Sequence, residues 1–173
     1  QTPDAGSRLH PLLAQRLRSP LLKDIVFTTE LTADCPPFLV DHQIQGMPLL
    51  PATAYVEMLL AAANLAFGER PSTITHLLIQ RGLPLSDEPV QVQVALTPPD
   101  NGTVTGRIYS YDATADDWQL HAEGQIQLGT AEAVPQSISL TEFQAHCPTE
   151  LSTADNYARL RQRGSGFGPT FQG

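Results

Sequence analysis

Residues 52–67 read ATAYVEMLLAAANLAF between Pro51 and Gly68, and the reading of this stretch decides the fold. Alanine, leucine, methionine and glutamate favour helix, proline is tolerated in a first helical turn, and glycine commonly follows a helix end. A helix over 51–67 follows. Its clearly polar residues are Glu57 and Asn64, so apolar side chains fall on most faces and the helix is expected to be wrapped by protein on most sides. Such a helix needs a large partner surface. The stretches Thr73–Gln80, Val90–Leu96, Val104–Tyr111 and Trp118–Leu128 supply strands, and Val90, Val92, Val94 and Leu96 share one face while Gln91 and Gln93 take the other. Asn101-Gly102 tolerates positive φ at both positions and makes a hairpin between two of these strands, and Asp112–Asp117 turns into the next. Upstream, DIVFTTEL at 24–31 reads as a strand that Cys35-Pro36-Pro37 ends. The expected class is α+β, an antiparallel sheet wrapped on one long helix.

The flanks are less regular. The first 22 residues carry Pro3, Pro11 and Pro20 and read as an irregular lead-in around Leu12, Leu13 and Leu17. Phe38–Leu50 reads as a loop holding His42 and Gly46. Residues 129–155 are polar and weakly periodic, a linker with room for one short helical turn. Tyr157–Arg163 is helix-like and basic, and a glycine-rich tail, GSGFGPTFQG, runs from 164 to 173. Starting at Gln1 and stopping at Gly173, the chain is expected to be a piece of a longer polypeptide.

Composition narrows the function classes. With 173 residues and 41% apolar content the chain can bury one ordinary core. Ten Lys+Arg against 18 Asp+Glu, a net charge of −8, is the wrong sign for neutralising phosphates or an anionic membrane surface, so no nucleic acid and no membrane partner is expected. Cys35 and Cys147 lack finger spacing and are expected to be buried or idle thiols of a reducing cytoplasm. Met58–Phe67 is too short to span a bilayer and no signal segment precedes it, which points to a cytoplasmic location. His10, His76, His121 and His146 form no metal-ligand pattern, so no metal site is expected. Gly164-x-Gly166-x-Gly168 lacks dinucleotide-fingerprint spacing, and Asn101-Gly102-Thr103 is read as a turn rather than a glycosylation acceptor.

The candidate site is His42-x3-Gly46-x4-Pro51, just ahead of the long helix. A helix start offers unpaired N–H groups and positive potential to a developing oxyanion. A histidine in the loop leading to it can act as a base near neutral pH, and a glycine there lets backbone approach a substrate closely. Each part also has a plain structural reading: a core-satisfying histidine, a turn glycine, a first-turn proline.

The string PPFLVDHQIQGMPLLPATAYVEMLLAAANLAFG at 36–68, with His10-Pro11-Leu12-Leu13, Trp118-x2-His121-Ala122-x-Gly124 and Tyr157-x2-Leu160, closely resembles the dehydratase domains of modular polyketide synthases. The tail Gly166-Phe167-Gly168-Pro169-Thr170-Phe171 resembles that family's Tyr-Gly-Pro-x-Phe segment. The resemblance implies a hotdog fold and, more fully, the first half of a double hotdog: residues 1–128 the N-terminal hotdog, 129–154 a linker, 155–173 the truncated start of the second. It implies dehydration of 3-hydroxyacyl thioesters to enoyl thioesters, with His42 as catalytic base and Gly46, Pro51, Phe167, Gly168 and Pro169 binding substrate. The family's second catalytic group, an aspartate, belongs to the second hotdog; Asp41, Asp155 and the acids around Asp87 match no such motif and read as solvated or turn residues. No cofactor is implied beyond the phosphopantetheine of the carrier that presents the substrate. The implied partners are an acyl carrier protein, neighbouring synthase domains, the second hotdog half and a possible homodimer mate. Two departures stand out: Ala52 where glycine is frequent, and Phe167 where tyrosine is frequent, which removes a hydroxyl donor. The alternative reading is a module that shapes the chain or repositions its double bond without dehydrating it, or an inactive remnant.

Overall fold

The computed structural model describes residues 9–129, 139–147, 149 and 151–172; the lead-in before Leu9 and residues 130–138 of the expected linker lie outside this set. The expected helix forms as α1, Ala52–Phe67. Around it run β1 (Gln15–Leu17), β2 (Ile25–Leu31), β5 (Ser72–Ile79), β6 (Val90–Leu96), β7 (Thr103–Asp112) and β8 (Asp117–Leu128), one sheet in the order β1-β2-β6-β7-β8-β5 with every pairing antiparallel. Helix α1 packs on β5 to β8. This is the expected α+β hotdog arrangement.

Packing follows from the alternation. Val92, Val94 and Leu96 of β6, Val104 and Ile108 of β7, and Ala122 and Ile126 of β8 are buried with Ala54, Tyr55, Met58, Leu59 and Ala62 of the helix. Leu59, 0% exposed, drops into a notch made by two glycines that pair across the sheet. A Cβ at Gly106 would stand 2.5 Å from one Leu59 methyl, and one at Gly124 would stand 3.0 Å from the other. The Ala122-x-Gly124 spacing thus shapes the seat of the helix.

Helix α1 is covered on most sides, as expected: the sheet takes one face, Leu12, Leu13, Leu50, Leu83 and Leu85 from outside the sheet join the same core, and the exposed Thr53, Glu57 and Asn64 share one polar stripe. Two expectations change. The lead-in holds β1 and buries Leu12 and Leu13; its three strand residues carry no period of their own and are drawn into line by the edge of β2. The 38–50 loop is structured, with a 3-10 turn at Pro37–Asp41, β3 (His42–Ile44) and β4 (Met47–Pro48). Cys35 and Cys147 are both exposed and in no disulfide, so neither is a buried thiol. Beyond the sheet come α2 (Leu140–His146), where a single short helical turn is expected, α3 (Thr153–Gln162) and β9 (Ser165–Phe167), which joins β3 and β4 in a second sheet. No helix among the described residues is long and apolar enough to cross a membrane.

Candidate active site

His42 opens β3, and β3 turns into β4 through two residues in the left-handed region, Gln45 at φ 55° and Gly46 at φ 78°. Positive φ at both central positions makes the two-residue turn whose twist matches a hairpin, and glycine meets that demand without a steric cost. Gly46 therefore stands at the exposed hairpin tip. Pro51 is the buried residue immediately before α1, whose first turn has no side-chain cap.

The hairpin positions the imidazole. The His42 carbonyl accepts the Leu49 N–H at 3.0 Å, and His42 Nδ1 lies 2.8 Å from the Leu49 carbonyl. A carbonyl oxygen only accepts, so Nδ1 carries the hydrogen, and in the neutral ring Nε2 is the bare nitrogen.

The other wall comes from the tail. Strand β9 pairs with β3, setting His42 opposite Phe167. The His42 ring lies 5.5 Å from the Phe167 ring and 5.4 Å from that of Phe171, both tilted. Asp41 clamps this tail: its backbone oxygen accepts the Gly168 N–H at 2.7 Å and its carboxylate the Thr170 N–H at 2.9 Å. Those bonds from Thr170 hold the Asp41 carboxyl below the ordinary carboxylate range. A Cβ at Gly168 would overlap the same carboxylate, so only glycine lets the backbones meet here. Behind the tail, Ser152 caps α3 through the Asp155 N–H, Arg159 and Arg161 sit in its last turn, and Tyr157 Oη donates to the Phe171 carbonyl at 3.0 Å.

The structure thus brings together His42, Phe167 and Gly168; Pro169 follows at an exposed position opening a 3-10 turn, while Gly46 stands at the hairpin tip and Pro51 at the helix start. Sequence reasoning missed Asp41, Leu49, Tyr157 and Phe171. Phe171 and Tyr157 stand inside motifs already noted, Asp41 adjoins the histidine, and Leu49 acts through a carbonyl that leaves no trace in a sequence. A surface bowl of about 510 Å³ lies elsewhere, around the turn from Arg16 to Ile25.

Comparison with known proteins agrees with this geometry. The chain is 37% identical to the polyketide synthase GfsB of Streptomyces halstedii over 95% of its own length, and 32% identical over 95% to the mycoketide-CoA synthase of Mycobacterium tuberculosis, of which it spans 3% and 4%. Among solved structures, the dehydratase domain from the CurF module of curacin polyketide synthase superposes with a TM-score of 0.87 at 27% identity, covering 95% of this chain and 60% of that one. A trans-AT polyketide synthase dehydratase domain from Brevibacillus brevis gives 0.87 at 30% identity, covering 96% and 63%. The family model described as the polyketide synthase dehydratase domain matches residues 10–111, and with that match the chain belongs to the polyketide synthase dehydratase family.

Proposed function

We propose that this chain carries the base of a dehydratase that converts 3-hydroxyacyl thioesters, presented on the phosphopantetheine arm of an acyl carrier protein, to enoyl thioesters. The observation that carries the reading is the His42 ring: Nδ1 committed to the Leu49 carbonyl, Nε2 bare, and Phe167 and Phe171 against its sides. Nε2 takes the proton from the carbon next to the thioester; that C–H pair becomes the new double bond as the β-hydroxyl leaves. The leaving oxygen needs a proton to depart as water, and an aspartate outside these residues supplies it, from a second hotdog half that pairs with this one. Phe167 and Gly168 line the site, Gly46 and Pro51 shape the loop that presents the ring, and Pro169 starts the turn bearing Phe171. No cofactor takes part; the arm arrives with the substrate, and neighbouring synthase domains deliver and receive it. A cytoplasmic location suits such an assembly.

Related enzymes support the reading: among the similar solved structures are histidine-to-phenylalanine and aspartate-to-asparagine mutants of the CurK dehydratase, both described as inactive. A second reading, double-bond repositioning or loss of activity, is favoured by Phe167 in place of a hydroxylated ring, and one relative, of Mycobacterium tuberculosis, bears the name "putative inactive phenolphthiocerol synthesis polyketide synthase". The test is a 3-hydroxyacyl carrier-protein thioester incubated with the full-length protein, followed by mass spectrometry for loss of water. His42→Ala is expected to slow dehydration by about 10²-fold or more; an unaffected rate would remove His42 from the mechanism, and no water loss from the 3-hydroxyacyl thioester, with double-bond migration when an enoyl carrier-protein thioester is supplied instead, would favour the second reading.

A further inference from the structure

The carbonyl that orients His42 is itself held by a strap. Residues 80–85, between β5 and β6, run beside the β4–α1 connection: the Leu50 N–H donates to the Leu83 carbonyl at 2.9 Å, the Leu85 N–H to the Pro48 carbonyl at 2.9 Å, and Leu49 and Pro84 form a bridge. The strap lies so close to Leu49 that a Cβ on Gly82 would stand 3.1 Å from a Leu49 methyl. The peptide group that accepts the His42 Nδ1–H is thereby fixed from both sides.

The strap is anchored in turn on His121. Between the pairs Ile108–Ala122 and Tyr109–Leu120 strand β8 carries one extra residue, a bulge, and that residue is His121. Its carbonyl accepts the Gln80 N–H at 2.8 Å and the Arg81 N–H at 3.3 Å. Its ring turns inward, 1% exposed, with Nδ1 3.1 Å from the Arg81 carbonyl and Nε2 2.8 Å from Ser110 Oγ. The carbonyl again fixes the tautomer: Nδ1–H donates to Arg81, and Nε2 accepts from the Ser110 hydroxyl. Farther along, the Leu83 N–H donates to Tyr55 Oη of α1 at 3.0 Å.

We infer that His121 is a positioning residue for His42: from its bulge it clasps Arg81, the clasp holds the strap, and the strap presents the Leu49 carbonyl that keeps the hydrogen of His42 on Nδ1 and leaves Nε2 bare. This rests on His42 being the base, but the state of its ring can be read without turnover.

The experiment uses the full chain labelled with 15N-histidine, the His42 nitrogens being assigned by their disappearance in His42→Ala. Asparagine puts its amide nitrogen near the place of Nδ1, whereas glutamine reaches toward Ser110 in the place of Nε2. In the parent, neutral His42 is expected to be Nδ1–H; His121→Asn keeps that state, and His121→Gln gives a mixture of tautomers. Tyr55→Phe, which loosens the strap from the helix side without touching the β8 bulge, is expected to give a mixture as well and decides the matter if His121→Gln does not fold. In the dehydration assay His121→Gln should lower kcat by about 10- to 100-fold with KM unchanged, and His121→Asn should restore it. An unchanged His42 tautomer in the folded Gln and Phe variants overturns the inference, as does a loss of turnover without a change of tautomer. A parent that shows the Nδ1–H state but never dehydrates would instead overturn the proposed function.

Discussion

Which nitrogen of a neutral histidine is bare depends on what the other one binds, and at His42 that choice is made by a main-chain oxygen 2.8 Å away. The same device recurs at His121, where burial pulls the pKa below its ordinary value, backbone bonds to Arg81 and Gly82 oppose the shift, and the Arg81 charge adds to it. Because the folded protein binds this proton less readily than the unfolded chain, the stabilisation is complete above the unfolded histidine pKa of about 6.5 and falls as pH drops below it. Urea unfolding midpoints at several pH values should therefore decline from pH 7.5 toward pH 5, and less steeply in His121→Asn; equal slopes would exclude His121 as a source of the decline. His42 was legible as a candidate because its side chain belongs to a spaced motif. The orientation of its ring was not, since it comes from the carbonyl of Leu49, a group common to every residue.

At the scale of elements, legibility tracked length and locality. Helix α1 and strands β5 to β8 repeat a period long enough to read, and their ends fall within a residue or so of the expected ones. Strands β1, β3, β4 and β9 have three residues or fewer, too few for a period. They exist because a partner offers hydrogen bonds, and for β3 that partner is β9, far along the sequence. The β3–β9 junction can be tested by two neighbouring glycines. A Cβ on Gly166 would make ordinary contact with Gln43 at 3.5 Å, whereas one on Gly168 would strike Asp41. Gly166→Ala should thus leave slow hydrogen exchange at the Gly168 and Thr170 amides, while Gly168→Ala should speed exchange at Thr170 by at least about tenfold, an opening of about 1.4 kcal/mol. Equal protection in the two variants would show that the tail is held by something other than the Asp41 clamp.

For the whole molecule, the proposed division of the acid and the base between two halves predicts that these 173 residues alone do not turn over. Leu78, 53% exposed on edge strand β5, and Leu65, 39% exposed on α1, give the isolated chain apolar surface through which to associate. Sedimentation of the isolated chain should show mass rising with concentration, and the carrier-bound substrate should remain unchanged; robust water loss would place the acid within this chain. The clamp between Asp41 and Thr170 joins groups 129 residues apart. A ribosome releases a chain from its N-terminus, so the helix and the six-stranded sheet can assemble while the rings that flank His42 are still untranslated. The histidine is made early and its pocket is closed late. A nascent polypeptide arrested before Phe167 would hold a folded scaffold in which the His42 ring is already oriented by the Leu49 carbonyl but lacks the aromatic wall of Phe167 and Phe171.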